Sequence, residues 1–148
     1  SRISGPFFDR IDLFYDTPPV TAMDLALPAP TEGTAEAARR VAAARNIQTE
    51  RYQDHHPDEG RRAINADASA RRLVDIASPD EAASALLSDA AAKLALSARA
   101  YHRVLKVART IADLDGAGGV RRVHVAEALS YRRRVADEQG ALEPKLAH

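Results

Sequence analysis

Cysteine is absent from all 148 residues. That removes disulfides, thiolate nucleophiles, iron–sulfur clusters and Cys-ligated zinc together, and is compatible with a reducing compartment. Tryptophan is also absent, methionine occurs once and aromatics make up 5% of the chain, so the core cannot rest on large rings. Net charge is missing too: 21 Lys and Arg balance 21 Asp and Glu. No global field therefore steers the chain to nucleic acid or membrane, and any such binding must come from a local patch. No run approaches the roughly 18 consecutive apolar residues of a membrane span. The first residues lack both Met and the apolar segment of a secretory signal, so the chain is expected to be an excised C-terminal fragment. What is plentiful is alanine, the best helix former, within a 45% hydrophobic fraction. A mainly α, modestly cored domain is the expectation.

The first thirty residues differ in kind from the rest. Ile11 to Val20 has the β-branched and aromatic residues of a short strand, stopped by Pro18 and Pro19. One strand alone is unstable, so it either pairs with a sheet outside this chain or packs on the helices as an extended arm. Leu25 to Thr34 reads as a linker with Thr31 as a candidate cap. The spacing then predicts helices over Ala35 to Gln53, Pro79 to Leu94, Ser97 to Asp113 and from Val123 toward Arg134. Ala37, Val41, Ala44, Ile47 and the alkyl stem of Arg51 fall near the apolar stripe of the first, with Arg39, Arg40, Gln48 and Glu50 off it. Ser78 is read as the cap of the second. Tyr101, Val104, Leu105, Ala108, Ile111 and Ala112 are the buried face of the third, and Asp115 to Gly119 is its C-terminal turn. Ala63 to Asp75 is ambiguous, with helical turns around Asn65, and the last dozen residues look frayed.

Charge is balanced overall but not locally. Residues 97 to 134 hold Arg99, Arg103, Lys106, Arg109, Arg121, Arg122, Arg132, Arg133 and Arg134 against Asp113, Asp115 and Glu127. This excess reads either as a face for phosphate, on a nucleotide or a nucleic-acid backbone, or as solvated helix surface. Arg99 is the sharper case. It lies two residues after the expected cap Ser97, where the helix dipole disfavours a cation by about 0.3–1 kcal/mol. Either an anion such as phosphate compensates it or a nearby carboxylate does. Asp9 and Arg10 read on physics alone as an ion pair beside an apolar pair. His55 and His56 are adjacent rather than at metal-ligand spacing, so no metal site is expected. The DGAGG stretch lacks the GK[ST] of a phosphate loop.

Two separated motifs, SGPFFDRIDL and SARAYHRVLKVARTIADL, together with AAAR at 42–45 and EALSYR at 127–132, carry a resemblance. The chain resembles the C-terminal part of magnesium-chelatase-like AAA+ ATPases, the bacterial competence-associated ComM/YifB group, over about residues 1 to 134. The resemblance implies a helical AAA+ lid-type bundle with a short N-terminal remnant strand of the α/β ATPase core. Residues 1–30 would be that remnant, 31–136 the lid and 137–148 a tail. It further implies that Arg10 is an arginine finger and Arg99 a sensor-2 residue facing nucleotide. The parent would use ATP and Mg²⁺ and work in the cytoplasm as a homo-oligomeric ring, expected to be a hexamer, driving branch migration on branched or single-stranded DNA. No GxxxxGK[ST] loop and no acidic Walker-B strand end occur in this sequence, so the fragment itself is not expected to hydrolyse ATP. Two alternatives stay open: an ATPase subunit of magnesium chelatase, whose motif reads nearer LLDRFG than FFDRID, and a helical DNA- or protein-interaction module.

Overall fold

In a computed structural model of the chain, residues 10–28, 31–55 and 64–132 are described. They form six α-helices and one 3-10 turn, with no strand among the described residues. The helices are α1 (Ala22–Leu25), α2 (Thr34–His55), α3 (Ala70–Ala77), α4 (Glu81–Lys93), α5 (Ala98–Leu114) and α6 (Arg122–Ser130), and the 3-10 turn covers Asn65–Asp67. The mainly α, lid-type reading holds. The remnant strand does not form. Residues 11–20 run extended without a ladder, because the backbone of a lone strand has no neighbour with which to pair. They form the alternative, an arm tied to the bundle where the Phe14 N–H donates to the Tyr131 carbonyl at 3.1 Å.

Capping residues set most helix starts. Ser97 accepts from Ala100 N at 3.1 Å at the head of α5, and Ser69 caps α3 through Arg72 N. Asp80, not Ser78, caps α4, its carboxylate accepting from Ala83 N at 2.7 Å. Ser78 instead closes α3 in the left-handed region at φ 42. A carboxylate satisfies an orphan amide and complements the positive helix end at once, which a hydroxyl does less well. The start of α2 likewise uses Glu36, which reaches back to Gly33 N, rather than Thr31. The single turn α1 was not anticipated, although Thr21 and Asp24 cap each other reciprocally.

Helix α5 is the hub, packing against α2, α3, α6 and the 3-10 turn, while α4 packs on α6. Leu73, Leu87, Leu105, Val104, Val120 and Val125 are fully buried around it. Buried alanines at Ala77, Ala83, Ala108, Ala112 and Ala128 bring the helices close. Each buried leucine contributes about 1.5–3 kcal/mol. On α2 the buried stripe is Ala44, Gln48 and Tyr52, whereas Val41 is exposed. The expected stripe is thus displaced toward the C-terminal half, because the first turns of α2 are exposed and no neighbour among the described residues covers them. The α5–α6 loop is fixed by a reciprocal link: Val120 N donates to Ala77 O at 3.1 Å and Asp80 N to Val120 O at 3.0 Å. Gly116 adopts φ +66 at the end of α5, as the glycine-rich turn anticipates.

Candidate functional site

The bundle offers two polar constellations, both carried by α5. One is buried. Arg109 and Asp113 have side chains with no exposure at all, and Arg51 of α2 is 13% exposed. Asp113 accepts from Arg109 Nε at 3.0 Å and Nη2 at 2.7 Å, from Asn65 Nδ2 at 2.8 Å, and from Arg51 through both terminal nitrogens. Arg109 also donates to the carbonyls of Gly118 at 2.9 Å and Ala117 at 2.6 Å, which ties α5 to the glycine turn. Asn65 is held further by Thr110 Oγ1 and, through its backbone amide, by Gln48 Oε1. Burial pushes the Asp113 carboxyl upward, but hydrogen bonds from Arg51 and Asn65 and the charges of Arg109 and Arg51 outweigh it and hold it below its ordinary value. Burial draws Arg109 below its usual value against the opposing pull of Asp113.

Sequence spacing assigned Arg109 to the basic excess of the surface, and the structure removes it from there. It lies one turn beyond Leu105 and one before Asp113, so the row 105, 109, 113 runs along the buried side. That i, i+4 pair is a signal the apolar pattern alone passes over.

The other constellation is open to solvent. A cleft of about 500 Å³ lies between the arm, the 3-10 turn and the outward side of α5, lined by Asp12, Arg99, Arg103 and Lys106 over an apolar floor that includes Leu13 and Val107. Positions 99, 103 and 106 fall on one helix face by their spacing. Arg103 pairs with Asp12, and its Nε is buried without a hydrogen-bond partner. Lys106 Nζ donates to the Ala66 carbonyl at 2.7 Å. Arg99 is exposed in the first turn of α5, and among the described residues it enters no ion pair. No carboxylate among the described residues supplies the compensation considered for it. What the arrangement can do chemically is hold an anion: three cations face one carboxylate. No group of three or more His, Asp or Glu among the described residues could hold a metal ion.

Arg10 is exposed at the start of the described arm and does not line the cleft, so it is not brought together with Arg99. The Asp9–Arg10 pair, His56, Arg133, Arg134 and the frayed tail lie outside the described residues, as does the side chain of His55. A third polar contact sits at the head of α6. His124 is fully buried, its Nδ1 accepts from Arg121 N at 3.0 Å and its Nε2 lies 3.2 Å from Asp115 Oδ2. The accepting Nδ1 places the ring proton on Nε2, toward the carboxylate. No helix among the described residues is long and apolar enough to cross a membrane.

A bundle of α-helices with no strand among the described residues has the architecture of a lid-type C-terminal domain. The chain belongs to the family described as magnesium chelatase, subunit ChlI C-terminal, whose model matches residues 31–132. It is 38% identical over 136 residues to the competence protein ComM of Haemophilus influenzae, covering 91% of this chain and 25% of that protein. It is 35% identical over 133 residues to the uncharacterized protein YifB of Escherichia coli, covering 89% and 24% respectively. An uncharacterized protein of Mycobacterium tuberculosis is likewise 35% identical over 132 residues. The chain thus spans about a quarter of the length of these curated relatives.

Proposed function

We propose that this domain is the lid of a ring-forming ATPase, in which Arg99 faces the phosphates of ATP and Arg10 reaches the nucleotide of a neighbouring subunit. The observation that carries it is Arg99: a cation at a helix N-terminus that enters no ion pair among the described residues and lines a basic cleft. The residues present fit a phosphate chain, since Arg99, Arg103 and Lys106 supply charge-assisted donors along one face. Mg²⁺ and the remaining phosphate contacts belong, in this reading, to the rest of the parent protein. When bound, the nucleotide supplies the phosphoryl group, and the part of this chain is to place positive charge where it spreads over the phosphate oxygens. The name of the Haemophilus relative, a competence protein, supports coupling of that hydrolysis to work on incoming DNA, namely branch migration during recombination. The family description supports the second reading, a motor for porphyrin metallation, while the FFDRID sequence speaks for the first.

ATP hydrolysis by the longer parent protein, with and without branched DNA, tests the proposal. Arg10→Ala should lower turnover by about 10³- to 10⁵-fold while ATP still binds, and Arg99→Ala should lower turnover and weaken binding. Hydrolysis stimulated by DNA and lost with Arg10→Ala is the expected result. Hydrolysis indifferent to DNA favours the chelatase motor. Equal, small effects of both substitutions refute the nucleotide assignment.

A further inference from the structure

Asp12 is the one carboxylate on the cleft among the described residues, and its position is not left to its own side chain. The residues on either side of it are tied to the end of the bundle: Arg132 Nη1 donates to Ile11 O at 3.5 Å, and Phe14 N donates to Tyr131 O at 3.1 Å. Among the described residues its carboxylate engages Nη1 of Arg103, whose Nε is buried with its donor unspent. A guanidinium accommodates carboxylate and phosphate through the same fork. All three of Arg99, Arg103 and Lys106 line the cleft, with Arg103 held under an internal anion and Lys106 donating to the Ala66 carbonyl.

We propose that the cleft is a polyphosphate site in which Asp12 is a displaceable counter-anion: a triphosphate chain lying along Arg99, Arg103 and Lys106 takes Arg103 from Asp12 and so releases one tie between the arm and the bundle. This rests on the reading of Arg99 given above and extends it. Arg10 lies two residues from Asp12, so occupancy of the cleft changes how firmly the segment bearing Arg10 is held. Arg103 becomes a ligand-binding residue and Asp12 the residue that sets its threshold. The exchange is one of ion pairs only, with no bond made or broken. A triphosphate is favoured over a nucleic-acid backbone because the three cations lining the cleft lie within a seven-position span of one helix, about 10 Å of rise, a span that a short phosphate chain fills and a longer backbone would overrun.

The test uses this chain and inorganic tripolyphosphate, with binding followed by calorimetry and by backbone amide NMR. Asp12 is 53% exposed, so Asp12→Asn leaves the core untouched. It should tighten binding by about three- to tenfold, the combined scale of one freed ion pair and one relieved like-charge contact. Arg103→Gln should weaken it by about tenfold or more. Tripolyphosphate should also shift the amide signals of Leu13 and Phe14 in the wild type toward their positions in Asp12→Asn. Unchanged or weaker binding by Asp12→Asn overturns the proposal, as does absence of binding in both. A short oligothymidylate whose binding responds to Asp12→Asn while tripolyphosphate does not overturns the ligand class. The two readings fail separately. If Arg99→Ala abolishes turnover in the parent but Asp12→Asn leaves tripolyphosphate affinity unchanged, only the displacement falls; the converse pattern removes the role of Arg99 in hydrolysis and keeps the site.

Discussion

Replacing Asp113 by asparagine probes the centre of the bundle with almost no change in shape. The carboxylate sits at 0% side-chain exposure between Arg109, also at 0%, and Arg51 at 13%. An amide keeps one acceptor oxygen, so two or three of the bonds now received from Arg51, Arg109 and Asn65 are lost. Breaking a buried pair by removing one charge costs about 3–5 kcal/mol, since the partner charge is left uncompensated. Here Arg109 retains the carbonyls of Ala117 and Gly118, and Arg51 has access to water, which places the loss at the lower end, about 3 kcal/mol. Against a typical domain stability of about 5–15 kcal/mol, the variant should stay folded near neutral pH with a clearly lower urea midpoint.

The pH dependence separates the charge from the hydrogen bonds. Asp113 is held below its ordinary 3.8 in the folded chain. Its contribution is therefore complete above that value and is lost as pH falls through the depressed folded value. Asparagine does not titrate. The gap in unfolding free energy between wild type and Asp113→Asn, followed by circular dichroism in urea, should narrow as pH is lowered from about 4 toward about 2. A gap under about 1 kcal/mol at neutral pH, or one that does not change on acidification, refutes the account.

Other outcomes follow from single contacts. The Tyr52 hydroxyl is buried without a hydrogen-bond partner, and burial pushes it up to about 12. Tyr52→Phe should be neutral or stabilising by up to about 1 kcal/mol, and should flatten the loss of stability that the wild type shows between about pH 10 and 12, where the unfolded phenol ionises first. Ser97→Ala removes the cap of the hub helix and should cost about 0.5–2 kcal/mol in thermal or urea unfolding. Gly119 has no room to spare, since a Cβ there would stand 3.0 Å from the Ser78 carbonyl. Gly119→Ala should therefore destabilise by about 1–3 kcal/mol, visible as a lower melting temperature.

The helices were legible where pattern and cap agreed. Helix α5 was placed within one residue at each end because Ser97, the apolar repeat and the DGAGG turn all point to the same limits. Asp80 was passed over in favour of Ser78 because both are good caps by residue type, and only the left-handed turn at Ser78 decides between them. On α2 the buried stripe lies one turn later than the apolar pattern suggests, since no neighbour among the described residues covers Val41 while the polar Gln48 is buried through its bond to Asn65. Arg99 was visible as a helix-dipole anomaly. The buried Arg51–Asp113–Arg109 cluster was not, because an Arg and an Asp four apart on a helix ordinarily make a surface pair. The link from Asp12 to Arg103 spans 91 positions, and no local rule reaches that far.

The arm's attachment also orders events during synthesis. Ile11 waits for Arg132, 121 positions later, which at about 5–20 residues per second is roughly 6–24 s of translation. Leu13, Tyr15, Val20, Met23, Leu25 and Leu27, already exposed in the folded chain, precede both Arg103, which Asp12 meets 91 positions later, and the end of α6. The segment bearing Arg10 thus leaves the ribosome before its partners and is fastened after them. A chaperone that holds extended apolar chain would meet this arm first, and a chain halted before α6 would keep the tie from Asp12 to Arg103 but lack those from Ile11 and Phe14.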